Sequence, residues 1–158
     1  MAEIIVMGGA LRVPGNVRPE AEFNVFNDPL AASLIFDSGI PVRLVTLDVT
    51  RQTFLMREHI EGLKGRGSAA DLVAQVVGAW FRARPDRQRF TLHDPLAVAA
   101  AVEPDLLEWE PVKVEVETAD PERLGKTTSQ GGPWSVMAPT AVQSTRAVDF
   151  IMNALVGC

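Results

Sequence analysis

The chain has a single cysteine, and it is the last residue, Cys158. No disulfide can form within the chain, which points to a reducing compartment. With no histidine near it in sequence, Cys158 has no case as a nucleophile. A cationic excess is also missing. The formal charge is −5 and the pI is near 5.0. Nucleic-acid binding needs clustered Lys and Arg, so no nucleic-acid partner is expected. The one basic run, Arg82 to Arg89, reads as a solvated helix end. No apolar stretch reaches the roughly 20 residues of a membrane span. No basic segment leads into an apolar signal region at the start. A cytoplasmic protein without a membrane partner is the expectation. Internal repeats and low-complexity linkers are absent as well.

What remains is a mixture suited to one core. The 158 residues are 47% hydrophobic, enough for a single globular domain over 1–158. Glu3 to Met7 is a short apolar run, which predicts a strand buried on both faces and central in its sheet. Gly8 to Asn27 reads as one long loop, rich in Gly and Pro. Asp28 then caps a helix with Pro29 at its first position and Gly39 beyond its end. Val42 to Val45 is a second buried strand, so the chain opens with a βαβ unit and parallel pairing.

Further on, residues 56–64 predict a short helix and Ser68 opens a longer one. Leu72, Val76 and Trp80 form one apolar stripe of that helix, with Val73, Val77 and Phe81 beside it. Asp94 to Val102 predicts a helix capped by Asp94 with Pro95 at its first position. Val112, Val114 and Val116 alternate with charged residues, as in a half-exposed strand. Residues 125–136 read as a loop or hairpin, and Val148, Ile151, Met152 and Leu155 mark a C-terminal helix. The fold class is α/β: a mainly parallel open sheet with flanking helices.

Two places carry chemistry-bearing residues. In the first, Asp94 has a plain structural reading as a helix cap, and His93 as a half-buried, hydrogen-bonded imidazole. Set on a loop at the carboxyl end of a sheet, the same pair suits a hard cation and a proton donor. In the second, Asn16, Glu22 and Asn24 place donors and acceptors in one loop, as a polyhydroxylated ligand needs. A turn-rich polar surface loop is the plain reading there. Gly8-Gly9 fits neither common phosphate-loop spacing. His59, beside Arg57, Glu58 and Glu61, is expected in solvent. Trp80 and Trp109 are expected in or near the core. Trp134 follows Gly131-Gly132-Pro133, and is either exposed or covered by a neighbouring subunit.

The order and spacing of MGGA at 7–10, GN at 15–16, EFN at 22–24, NDPLAA at 27–32, LDVT at 47–50, LHDPLAVA at 92–99 and VKVEVET at 112–118 resemble the C-terminal half of the nucleoside hydrolases. The resemblance implies Ca²⁺-dependent hydrolysis of the N-glycosidic bond of ribonucleosides, giving ribose and a free base. It implies that Asp94 is a Ca²⁺ ligand and that His93 protonates the leaving base. It assigns Asn16 and Glu22 to the 5′-hydroxyl, Asn24 to the lower ribose hydroxyls, and Met7 and Phe23 to the apolar walls of the sugar site. Members of the family are commonly homodimers or homotetramers.

An aspartate cluster of the type DxDxxxDD, which the family uses for most of its metal carboxylates and its water-activating base, does not occur in this sequence. Asp28, Asp37, Asp48, Asp71 and Asp86 stand singly. The expectation is therefore a nucleoside-hydrolase-like domain with little activity alone, which self-associates or joins a complementary N-terminal half. The alternatives are a non-catalytic nucleoside- or ribose-binding module and a self-associating structural fragment.

Overall fold

The computed structural model describes residues 3–131, 133 and 135–157. Trp134 and Cys158 lie outside the described residues. The first strand, β1 (Ile4–Met7), pairs in parallel with β2 (Val42–Val45). Between them lie α1 (Phe23–Asn27) and α2 (Pro29–Phe36). After β2 come α3 (Leu47–Thr50), β3 (Phe54–Leu55), α4 (Arg57–Leu63), α5 (Ser68–Ala83) and β4 (Phe90–Thr91). The chain ends with α6 (His93–Val102), a 3₁₀ turn (Pro104–Leu106), β5 (Leu107–Val116), β6 (Thr127–Gln130), β7 (Val136–Val142) and α7 (Ser144–Val156).

The main sheet has the order β1-β2-β7-β5-β6. Its β1-β2-β7 part is parallel, and β5 and β6 extend it antiparallel. Helices flank it, as the α/β expectation requires. Strand β2 shows why the sheet is sandwiched. Val42 and Leu44 pack with Phe36, Val114 and Val136, whereas Val45 joins the larger core built from α3 to α7. Period-2 alternation sends neighbouring side chains to opposite faces. Arg43 shares the face of Val45, donating to the Ala100 carbonyl at 2.9 Å and lying 5.5 Å from the Trp109 ring.

Three expectations change. The first strand is not central: among the described residues β1 has β2 as its one neighbour and is only half-buried. The stripe Leu72–Val76 of α5 faces out, at 60% and 58% exposure, and the buried stripe is Ala70, Ala74, Val77 and Phe81. Small alanines let the helix approach its neighbours closely, which leaves the larger residues one step around the barrel of the helix outside. His59 is half-buried, and its Nδ1 accepts the Met56 N–H at 3.0 Å, closing the first turn of α4. Trp80 and Trp109 are half-buried, as expected. Trp80 meets Phe81 and Phe90 edge to face, and Trp109 donates to the Pro104 carbonyl at 3.1 Å.

Candidate functional site

The Gly8–Asn27 segment is less of a loop than its composition suggests. Its last five residues form α1, and Glu22 caps that helix. Glu22 is 2% exposed, and its Oε2 accepts N–H groups from Gly9 (3.2 Å), Asn24 (2.9 Å) and Val25 (3.1 Å). One carboxylate oxygen thus ties the end of β1 to the start of α1. No hydrogen bond within the protein falls on Oε1 among the described residues. A buried carboxylate is costly unless hydrogen bonds compensate it, and three backbone donors do so here.

The neighbouring amides are half-used in the same way. Asn16 accepts the Phe23 N–H on Oδ1 at 2.8 Å. Asn24 donates through Nδ2 to the Met7 carbonyl at 3.2 Å and lies 3.4 Å from the Met7 sulfur. Asn16 Nδ2, Glu22 Oε1 and Asn24 Oδ1 are left as a donor and two acceptors with no partner among the described residues. Asn16, Phe23 and Asn24 are exposed, and Met7 is half-buried. Five of the predicted residues, Met7, Asn16, Glu22, Phe23 and Asn24, are therefore brought into one hydrogen-bonded unit.

Around this unit the backbone is pinned from outside. Thr127 hydroxyl donates to the Ala10 carbonyl and accepts the Ala10 N–H, both at 2.9 Å. Asp48 accepts the N–H groups of Leu11 (3.0 Å) and Arg12 (2.8 Å). The chain turns so tightly at Gly15 that a Cβ there would sit 2.1 Å from the Ala21 carbonyl oxygen.

His93 and Asp94 occupy the first two positions of α6. The helix is capped by Leu92, not by Asp94, whose side chain makes no cap bond. The reason is local: His93 is already helical, which places Asp94 inside the first turn, too far along to cap it. The carboxylate is exposed and makes no hydrogen bond or ion pair among the described residues. It still benefits from the helix dipole. The preceding β4 pairs antiparallel with β3 in a separate two-stranded sheet, so the pair does not follow a strand of the main sheet.

The His93 Nδ1 lies 2.8 Å from the Thr50 hydroxyl. Burial holds the imidazole below its ordinary range, opposed by the nearby charges of Asp94 and then Glu22, while Arg51 pushes the same way as burial. Glu22 is thus close enough for its charge to act on His93, which links the two predicted groups. No hydrogen bond joins Asp94 to Asn24. Two open clefts, of about 450 and 420 Å³, are lined by other residues: one by Arg12, Glu20, Lys126 and their neighbours, one by Phe36, Ile40 and Lys113 among others.

Sequence reasoning missed Thr50, Asp48 and Thr127 as parts of this region. The LDVT stretch contained the first two, but a four-residue helix carries no periodic signal.

Comparison with known proteins bears on this arrangement. The family model for inosine-uridine preferring nucleoside hydrolase matches residues 1–152. A pyrimidine-specific ribonucleoside hydrolase of Shewanella baltica is 39% identical over 129 residues, 78% of this chain and 40% of that protein. The structure of a purine-preferring ribonucleoside hydrolase from Gardnerella vaginalis superposes with a TM-score of 0.84 at 32% identity, covering 96% of this chain and 51% of that one. A plant nucleoside hydrolase gives a TM-score of 0.87 at 27% identity, covering 99% and 54%. The chain thus spans about half the length of these relatives. It belongs to the inosine-uridine preferring nucleoside hydrolase family.

Proposed function

We propose that this chain forms the ribose-facing half of a nucleoside hydrolase site and binds the sugar of ribonucleosides, without turning them over alone. The observation that carries this reading is the half-used polar set. Asn16, Glu22 and Asn24 each commit one polar atom to the fold and keep another without a partner among the described residues. Sugar hydroxyls both donate and accept, so a free N–H beside two free oxygens is a matched set. Met7 and Phe23 offer apolar surface for the ring, and His93 is the proton donor to the leaving base.

In the family reaction the sugar–base C–N bond breaks, water oxygen bonds to the anomeric carbon, and the base nitrogen takes up a proton. The sugar gains oxocarbenium character on the way, as in other glycoside cleavage. The water needs a base, and its loss alone typically costs about 10²–10⁴-fold. Among the predicted residues only Glu22 and Asp94 carry a carboxylate, and Glu22 is committed to the backbone N–H groups of Gly9, Asn24 and Val25.

Ca²⁺ fits this chain's own donors poorly. The ion takes about six to eight oxygens. Among the described residues no group of three or more His, Cys, Asp or Glu side chains is arranged to hold a metal. Asp94 is one exposed carboxylate, and we assign it as the ligand this chain would add to donors from elsewhere.

The partner reading rests on a separate observation. Strand β1 is open along one side among the described residues. Exposed apolar residues lie on α2 (Leu30, Leu34), and on α6 (Val98, Val102), which packs on β1. Unpaired strand edges and apolar faces invite pairing. The open edge therefore takes up a second copy or a complementary half, burying more than roughly 1,000 Å². Light scattering should show a dimer at micromolar concentration. A monomer with slowly exchanging β1 amides on the open side would refute it.

The test of function is base release from inosine and uridine, with and without Ca²⁺. The expected result for the chain alone is no hypoxanthine or uracil above background. Robust Ca²⁺-dependent release that Asp94→Ala abolishes would overturn the claim of an incomplete site.

A further inference from the structure

Helix α3 has only four residues, yet its side chains and that of the following residue reach both groups of the candidate site. Asp48 holds the Leu11 and Arg12 amides. Arg51 donates through Nη2 to the Gly15 carbonyl at 2.7 Å, beside Asn16. Thr50, fully buried, meets His93 Nδ1 at 2.8 Å. Three of four successive side chains thus fix the sugar-side segment and the imidazole to one short, well-anchored turn. That turn is itself secured by Leu47 N–H to the Gly9 carbonyl at 2.9 Å and by burial of Leu47 and Val49.

We propose that Thr50 is the positioning residue of His93: its hydroxyl donates to Nδ1, orients the ring, and leaves the imidazole proton on Nε2. The direction of this hydrogen bond follows from hydroxyl chemistry. Thr50 Oγ1 carries one proton, and among the described residues His93 Nδ1 is its one hydrogen-bond partner. Were Nδ1 protonated, it would donate to Oγ1, and the hydroxyl proton would be buried with no acceptor. Buried donors without partners are disfavoured, so the tautomer with a bare Nδ1 wins. The tautomer of a histidine is set by the partner of its other nitrogen. Here that partner is supplied by an element that also anchors the Asn16 loop, so ring and loop are held to one reference. The functional meaning rests on the assignment of His93 as donor to the leaving base; the hydrogen-bond direction does not.

The test is ¹⁵N-edited NMR of the imidazoles in the ligand-free chain at a pH where His93 is neutral, with His93→Gln identifying its signals. The wild type should show a pyridine-like Nδ1 and a pyrrole-like Nε2, well separated. Thr50→Val should draw the two shifts together as the tautomers mix, and Thr50→Ser should separate them again. Should Thr50→Val fail to fold, Thr50→Ala carries the same expectation. A proton on Nδ1 in the wild type, or unchanged shifts in the variant lacking the hydroxyl, would overturn the proposal. Inosine titration of the same samples is read separately. Absence of binding with the tautomer pattern intact would refute the sugar-site reading while leaving the role of Thr50 in setting the ring standing.

Discussion

The Gly8–Asn27 segment and the start of α6 carry the two parts of the candidate site, and they are built in opposite ways. Glu22 is buried and takes three backbone N–H groups on one oxygen. Asp94 is exposed and takes none among the described residues. One carboxylate is part of the fold, and the other faces solvent. The difference teaches that the same residue class can tie the backbone together or leave it untouched, and that substitutions should separate the two cases.

The largest effect is expected at Glu22. Glu22→Ala strips three backbone donors, two of them in buried bonds, of their acceptor and should cost about 3 kcal/mol of stability, read as a fall in the urea midpoint. Glu22→Gln keeps an oxygen in place and should cost much less. Equal losses for both would mean that the charge, not the hydrogen bonding, is what matters.

Next come the tight turns that support the segment. A Cβ at Gly125, where φ is +77°, would lie 2.6 Å from Phe26 Cα, at the end of α1. Gly125→Ala should destabilise by about 2 kcal/mol through strain and backbone displacement. Amide exchange in 23–27 should rise with it. A wild-type midpoint would show that the contact relaxes freely.

The pH dependence is smaller and has a definite sign. Burial lowers the pKa of folded His93. Above about 6.5 the imidazole is neutral in both states and contributes nothing. As pH falls below that value, the unfolded chain takes the proton first and the fold loses stability, until the folded pKa is passed. The wild type should therefore lose more stability than His93→Gln between pH 7.5 and 5.5. Parallel denaturation curves would contradict this.

The smallest effect is expected at Asp94. With no hydrogen bond or ion pair to lose among the described residues, Asp94→Asn should stay within about 0.5 kcal/mol of the wild type in thermal melts. A large loss would mean that its place in the first turn of α6 matters to the fold itself.

The same contrast explains what the sequence made legible. Strands β1 and β2 and helices α2, α5 and α7 announced themselves by apolar runs, caps and period. The place of β1 at an edge was not legible, because pairing depends on which strands are present. Helices α1 and α3 and the β3–β4 pair are too short to show periodicity. The role of Glu22 as a cap was hidden, since the reading of 8–27 as loop left no helix for it to cap. In the sequence Asp94 reads as a cap because DP so often starts a helix, whereas the helix starts at His93, two residues before Pro95. The residues of the candidate site are legible through the family resemblance that MGGA, EFN and LHDP carry. What binds them to each other, through Thr127, Asp48 and Thr50, came from contacts far apart in sequence.

The central claim is a sugar-binding wall without turnover. It is tested most directly by backbone-amide NMR of the chain titrated with inosine and with ribose. The expected result is saturable shifts at Met7, Asn16, Glu22, Asn24 and His93, with both ligands, and no consumption of inosine. Shifts confined to other surfaces, or none at millimolar ligand, would contradict it.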